Sequence, residues 1–395
     1  MTRTIYLDHA ATTPPVPAVL DAMQACALEA YGNASSIHTD GLRAARCVER
    51  ARATLAACLK ADPKEIVFTS GGTESNNLAL KGVMGVRGGR HMITSAIEHP
   101  SVLNVCDWLE SLGHAVTRLP VDGEGRVDPA DVRRALRPDT ALVSIIHGSN
   151  EMGTLQPLAD IGAVCREAGV HFHVDACQTF TRAPIDVAAM GLDLVSVNAH
   201  KVHGPKGVGA LFIREGVTVE PLLLGGGHES GRRAGTSNTP GIVGFGVAAT
   251  LARDDEVARM VGLRDALIEA VLARVEGAHL TGPRHDRLCS IASFVFEGLS
   301  GKKLQRALSL RGITVSAGSA CRSGSLAPSH VLLAMGVDET LAHGALRLSV
   351  GLTSTEEDIS PAVDALVEAV AELRTASREA LACGGRSGGG EASDA

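Results

Sequence analysis

The chain is 395 residues long and 45% hydrophobic, with a formal net charge of -7 and a pI near 6.1. That length can bury a large core and predicts two or three domains, while the acidic balance opposes direct nucleic-acid binding, which needs a basic stripe. No basic segment leads into an apolar opening stretch, and no apolar run approaches the roughly 20 residues that span a bilayer, so a cytoplasmic protein without a membrane partner is expected.

Along the chain, short apolar runs recur at 66–69 (IVFT), 91–95, 141–146, 192–197 and 208–213. Between them, 99–111 and 157–168 are long enough for crossover helices, with Pro157 suited to a first turn. Strands alternating with helices indicate an α/β fold, and runs without a polar face indicate a mostly parallel sheet covered on both sides. After about residue 255 the pattern changes to a long helical region, strands near 290–296 and 345–350, and a helix over about 356–379. In that helix Val363, Leu366, Val367, Val370 and Leu373 share one apolar face. A second, smaller domain is expected there, followed from residue 384 by a disordered tail, GGRSGGGEASDA. No internal repeat of solenoid or propeller type occurs.

The nine cysteines show neither a CxxC pair nor metal-ligand spacing, so they read as reduced thiols. Cys26, Cys47, Cys58, Cys106 and Cys165 read as small buried hydrophobes in helices. Cys321 differs: GSACRSGS around it is polar and glycine-rich, which predicts an exposed thiol on a mobile loop and a candidate nucleophile.

HVDACQ at 173–178 ends an apolar run on Asp175, and VNAHKVHGPKG at 197–207 holds Lys201 between His200 and a Gly/Pro-rich turn. An aspartate for a pyridinium nitrogen and a lysine for a Schiff base are what pyridoxal phosphate requires. SGGTES at 70–75 offers Gly72 and Thr73 at a helix start, where backbone N–H groups bind phosphate; alone it reads better as an ordinary turn with Thr73 as N-cap, and its place upstream of Asp175 and Lys201 tips the balance to phosphate. His99 follows a predicted strand, where a ring can stack on a cofactor and shuttle protons or can cap a helix.

With YLDHAATTP at 6–14, GNASSIH at 32–38, FTSGGTESNNLA at 68–79, EHPSVL, SNEMGTLQP, HVDACQ, AHKVHGPKG, GGGHESGRRAGT, GSACRSGSLAPSHVL and LRLSVG in this order, the chain resembles a cysteine desulfurase of the iron-sulfur-cluster assembly type, in the class V aminotransferase group. The resemblance spans residues 6 to about 355. It implies pyridoxal-phosphate fold type I, with a large cofactor-binding domain at 13–255. It also implies a smaller α+β domain from 1–12 and 256–383, carrying the cysteine loop at about 316–328.

Residue by residue, the resemblance makes Lys201 the Schiff-base lysine, Asp175 the pyridinium partner and His99 the stacking acid/base. Gln178 and Asn150 bond the ring hydroxyl, Thr73 and His200 the phosphate, and Thr236 a phosphate reached from the other subunit of a homodimer. Arg347, on a predicted strand between leucines, resembles the substrate-carboxylate clamp, with Asn33 beside it; a bidentate guanidinium suits that task. L-cysteine is the implied substrate, with L-alanine and a Cys321 persulfide as products. The uninterrupted loop before LAPSHVL resembles the long-loop branch, which passes sulfur directly to an acceptor protein. Asn198 replaces a phosphate-bonding serine, though its amide can still donate, and Arg322 replaces a serine or threonine after the cysteine. A selenocysteine lyase, a cysteine sulfinate desulfinase and a silent sulfur-relay scaffold are the alternatives. The sulfur's destination, whether iron-sulfur assembly, tRNA thiolation or DNA phosphorothioation, stays open.

Overall fold

The computed structural model describes residues 4–86, 88–318 and 327–384. The chain opens with β1 (Ile5–Tyr6), α1 (Pro17–Glu29) and α2 (Thr39–Leu59), then alternates β2 (Ile66–Thr69), α3 (Gly72–Val86), β3 (His91–Ser95) and α4 (Pro100–Ser111). Next come β4 (Ala115–Leu119), α5 (Pro129–Ala135), β5 (Thr140–Ile146), α6 (Leu158–Ala168), β6 (His171–Asp175), β7 (Leu194–Asn198), β8 (Gly209–Ile213) and α7 (Thr239–Ala248). The remainder comprises α8 (Asp254–Arg274), β9 (Ala278–Leu280), β10 (Ile291–Phe296), α9 (Gly301–Leu310), β11 (Ile313–Thr314), α10 (His330–Ala334), α11 (Glu339–Ala342), β12 (Ala345–Ser349) and α12 (Ile359–Gly384).

Among the described residues, seven strands form the central sheet in the order β2-β8-β7-β6-β5-β3-β4. β8 is antiparallel to both neighbours and every other pairing is parallel, so the expected mostly parallel α/β sheet is present. β2, β3, β5, β7 and β8 are buried along their whole length, as helices on both faces require. β4 escaped the sequence reading because it is an edge strand, largely half-buried and carrying Arg118 in AVTRL. From β3 the chain steps outward to β4, returns to β5 and proceeds the other way to β6 and β7. The carboxyl ends of β3 and β5 therefore flank the reversal point where open α/β sheets form a crevice.

A second core joins Ile5 and Leu7 of the amino-terminal segment to residues from Met260 to Val370. It holds the antiparallel sheet β12-β10-β9 and the parallel pair β1-β11. In α12, Val363, Leu366 and Val370 are buried, with Val367 and Leu373 packed at the margin. This helix reaches Gly384 after a short 3-10 turn at Glu356–Asp358, extending past 379 and one residue into the expected tail; the rest of the tail lies outside the described residues. Pro157 is the N-cap of α6 rather than its first turn. No helix among the described residues is long and apolar enough to cross a membrane.

Five histidines are held neutral chiefly by burial: His9, pushed down to about 3, and His147, His173, His200 and His203, each down to about 4. Between pH 6.5 and 4 the unfolded chain takes up protons that the folded chain refuses, so stability falls as pH falls through that window. Buried Glu98, raised to about 8, opposes the trend by one proton. Equilibrium denaturation is expected to lose about 1.4 kcal/mol per pH unit for each net proton; a flat profile from pH 6.5 to 4 would contradict these assignments.

Candidate active site

The carboxyl ends of the parallel strands open into one cavity of about 210 Å3. β6 delivers Asp175, whose Oδ1 accepts from the Cys177 N–H at 3.0 Å and whose Oδ2 accepts from Asn76 Nδ2 at 2.7 Å. Both partners are neutral, and the carboxylate has lone pairs left for a cationic N–H in the cavity.

His99 is at once the N-cap of α4 and part of the cavity wall. Its Nδ1 accepts from the Ser101 N–H at 3.1 Å and pairs with Ser101 Oγ at 2.8 Å, so the neutral ring carries its proton on Nε2. Burial lowers its pKa, Lys201 and His330 lower it further, and Asp175 opposes them. The result is a neutral base at neutral pH. Ser101 Oγ also accepts from Asn76 Nδ2 at 2.8 Å, completing a chain His99–Ser101–Asn76–Asp175. The sequence reading missed Asn76 and Ser101. The available signal is spacing, since Asn76 lies three residues after Thr73 and therefore on the same helix face.

At the opposite end, α3 begins on Gly72 after Gly71 at φ +150°, a conformation reserved for glycine. A Cβ on Gly72 would sit 2.4 Å from Cys177 Sγ. The first-turn N–H groups have no intrahelical acceptor and sit at the positive end of the helix dipole, which makes an anion site. Thr73, His200 and Asn198 join it on the cavity wall. Asn198 Oδ1 accepts from the Lys201 N–H at 3.2 Å, leaving Nδ2 as donor, 3.4 Å from where a Gly72 Cβ would stand. The asparagine thus keeps a donor aimed at the helix start.

Lys201 is half-buried, and its Nζ donates to the Ala10 carbonyl. Gln178 Nε2 donates to that same carbonyl at 2.9 Å, while its Oε1 is buried without a partner. Asn150 completes this wall after β5. An orphaned acceptor, a free carboxylate lone pair, an amine and an anion site around one cavity fit pyridoxal phosphate.

Three expected site residues do not line this cavity. Asn33 is exposed, its Oδ1 accepting from the Ser35 N–H at 2.9 Å, and Thr236 is exposed in the loop before α7. Arg347 is only 3% exposed and pairs with Asp8 at 3.0 Å while donating to the Asn150 carbonyl. The arginine side of this pair is buried, because β12 carries Arg347 into the small sheet opposite Ser293, while Asp8 is half-buried. Arg347→Ala leaves the half-buried Asp8 carboxylate without its cation and is expected to cost about 1.5–3 kcal/mol in chemical denaturation; a loss below about 0.5 kcal/mol, within the range of an exposed pair, would contradict this pairing.

Cys321 and Arg322 lie outside the described residues. Burial pushes the thiols of Cys106 and Cys165 up to about 12 and Cys26 up to about 11, leaving them poor nucleophiles. Cys47 and Cys58, both on α2, are half-buried rather than buried, and Cys58 packs at the margin of the main core.

The family model of class V aminotransferases matches residues 5–361. A protein named cysteine desulfurase IscS, from Dictyoglomus turgidum, is 47% identical over 382 residues, covering 95% of this chain and 97% of its own. This chain belongs to the cysteine desulfurase branch of the class V aminotransferase family. Among solved structures, a NifS-like protein superposes with a TM-score of 0.87 at 38% identity, covering 94% of this chain and all of its own. A structure described as SspA in complex with cysteine gives 0.80 at 39% identity, covering 89% and 100%. Class V enzymes depend on pyridoxal phosphate, and the cavity offers this family member each class of group that the cofactor needs.

Proposed function

We propose that the chain is a cysteine desulfurase that removes sulfur from L-cysteine, releases L-alanine and holds the sulfur as a persulfide on Cys321. The observation that carries this reading is the convergence of Asp175, Lys201, His99, Thr73, Asn198, His200, Gln178 and Asn150 on one cavity. In this reading Asp175 holds the cofactor's pyridinium N–H, Gln178 and Asn150 its ring oxygen, and the α3 start with Gly72, Thr73, Asn198 and His200 its phosphate. When bound, the cofactor supplies an electron sink that weakens bonds at the substrate's Cα and Cβ.

The chain's own groups do the rest. Lys201 Nζ anchors the cofactor and then moves the Cα proton, and His99 exchanges a proton at Nε2 while its Nδ1 stays pinned by Ser101. The Cys321 thiolate attacks the substrate sulfur; the new S–S bond forms as the Cβ–S bond breaks, and the Cβ carbon takes a proton to become the methyl group of alanine. Arg347 and Asn33 hold the substrate carboxylate, and Arg347 does so by exchanging Asp8 for another carboxylate, which keeps its guanidinium neutralised.

We divide the chain into a large domain at 13–255 and a small one from 1–12 and 256–383, because the second core recruits Ile5 and Leu7. The working unit is a homodimer in which Thr236 serves the partner's phosphate site. Exposed apolar side chains support that assembly: Ile37 at 93%, Leu224 at 85% and Tyr31 at 72%. The persulfide passes to an acceptor protein in the cytoplasm, for iron-sulfur assembly, tRNA thiolation or DNA phosphorothioation. Light scattering of the purified protein should give twice the chain mass, and L-cysteine should yield alanine. A monomer that makes no alanine from L-cysteine but acts on selenocysteine or cysteine sulfinate would overturn this reading.

A further inference from the structure

Behind Lys201 lies a cation that the reaction above does not use. Arg182, in the turn after β6, is 5% exposed, and its Nη2 donates to the Lys201 carbonyl while its Nη1 is buried without a hydrogen-bond partner. No carboxylate among the described residues forms a salt bridge with it. A buried guanidinium without a counter-anion is costly, and a neutral donor could bond one carbonyl with less loss of hydration.

The surroundings show what the arginine does. The turn carrying Lys201 is fixed group by group. Lys201 N–H donates to Asn198 Oδ1 at 3.2 Å, Thr13 Oγ1 donates to the His200 carbonyl at 2.9 Å, and His203 N–H donates to Thr13 Oγ1 at 2.7 Å. His203 itself sits at φ +66°, strained for a residue with a side chain. Its Nε2 accepts from the Leu352 N–H at 3.1 Å, so its Nδ1 carries the proton and donates to the Pro14 carbonyl at 2.9 Å. That ring works only when neutral, tying the lysine turn to both the amino-terminal segment and the turn beyond β12. Burial first, and Arg182 second, hold His203 down to about 4. The Lys201 carbonyl takes its hydrogen bond from a charged group.

We propose that Arg182 is a positioning residue for Lys201: its buried guanidinium holds the Lys201 carbonyl, and thereby the turn, in the geometry from which the amine reaches the cavity. This rests on reading Lys201 as the cofactor's anchor. Two consequences separate positioning from bulk stability. A donor cation must rescue what an isosteric apolar chain does not, and the effect must appear in how the cofactor is held.

Full-length wild type, Arg182→Met, Arg182→Lys and Lys201→Ala are stripped of cofactor and titrated with pyridoxal phosphate by absorbance, with apoprotein melting followed alongside. Arg182→Met is expected to weaken cofactor uptake about tenfold or more, the scale of one lost charge-assisted bond, and Arg182→Lys to recover most of it. The apo melting points of the two variants should agree within a few degrees. Wild-type uptake by Arg182→Met, or equal impairment in Met and Lys, overturns the proposal. Should Arg182→Met not fold, Arg182→Gln replaces it, and uptake by Gln equal to wild type overturns the role of the cation. Lys201→Ala is the separate control: a borohydride-stable cofactor adduct persisting there refutes the anchor reading itself, whatever Arg182 does.

Discussion

Lys201→Ala is expected to lower alanine formation from L-cysteine by about four orders of magnitude, because groups that act as a unit in catalysis fail together when one is removed. The fold should hardly respond. Lys201 Nζ donates to the Ala10 carbonyl, which Gln178 Nε2 also serves at 2.9 Å. A lost bond whose acceptor keeps another donor costs about 1 kcal/mol or less. Melting within a few degrees of wild type beside a collapse in activity is the expected pattern. Activity above a tenth of wild type would show that the amine is not the reacting group.

Asp175→Asn should reduce kcat/KM by about a hundred- to a thousandfold, the range seen when a preorganised electrostatic partner of the reacting system is lost. The substitution is nearly isosteric, and the structure contains its own repair. Asn76 Oδ1 is buried without a partner while Nδ2 serves both Asp175 and Ser101. Turning the Asn76 amide over presents Oδ1 to the new side-chain amide and to the Ser101 hydroxyl, so packing survives. The lost quantity is the negative charge facing the cavity. Steady-state kinetics read with a denaturation midpoint check this: a variant unstable in proportion to its inactivity would place Asp175 among structural residues instead.

The parts of this protein legible in the sequence are those where local chemistry and backbone needs coincide. Gly71 and Gly72 announce a helix start pressed against another element, and the structure shows a left-handed-type φ at one and no room for a Cβ at the other. Apolar runs ending on Asp175 and Asn198 mark strands whose carboxyl ends carry polar residues, the usual lip of a parallel sheet. What escaped reading depends on tertiary partners. β1 and β11 are two residues each and exist only because they pair with one another. Asn76 looks like any helical asparagine until Asp175, a hundred residues away, reaches it. Arg182 gives no sign in sequence of pointing inward, since arginine is seldom buried. For Arg347 the strand placement was readable, whereas its pairing with Asp8 needed the amino-terminal segment to cross the small domain.

The most direct test is a single turnover. The purified protein, loaded with pyridoxal phosphate, is mixed with L-cysteine without any reductant, and alanine is quantified while intact and digested protein are weighed. The account predicts alanine equal to the sulfur retained, with one added sulfur atom on the peptide containing Cys321 and none on Cys106, Cys165 or Cys26, whose thiols burial keeps protonated. Cys321→Ala should form neither product. Alanine released undiminished by Cys321→Ala, or sulfur found on another cysteine, would contradict it.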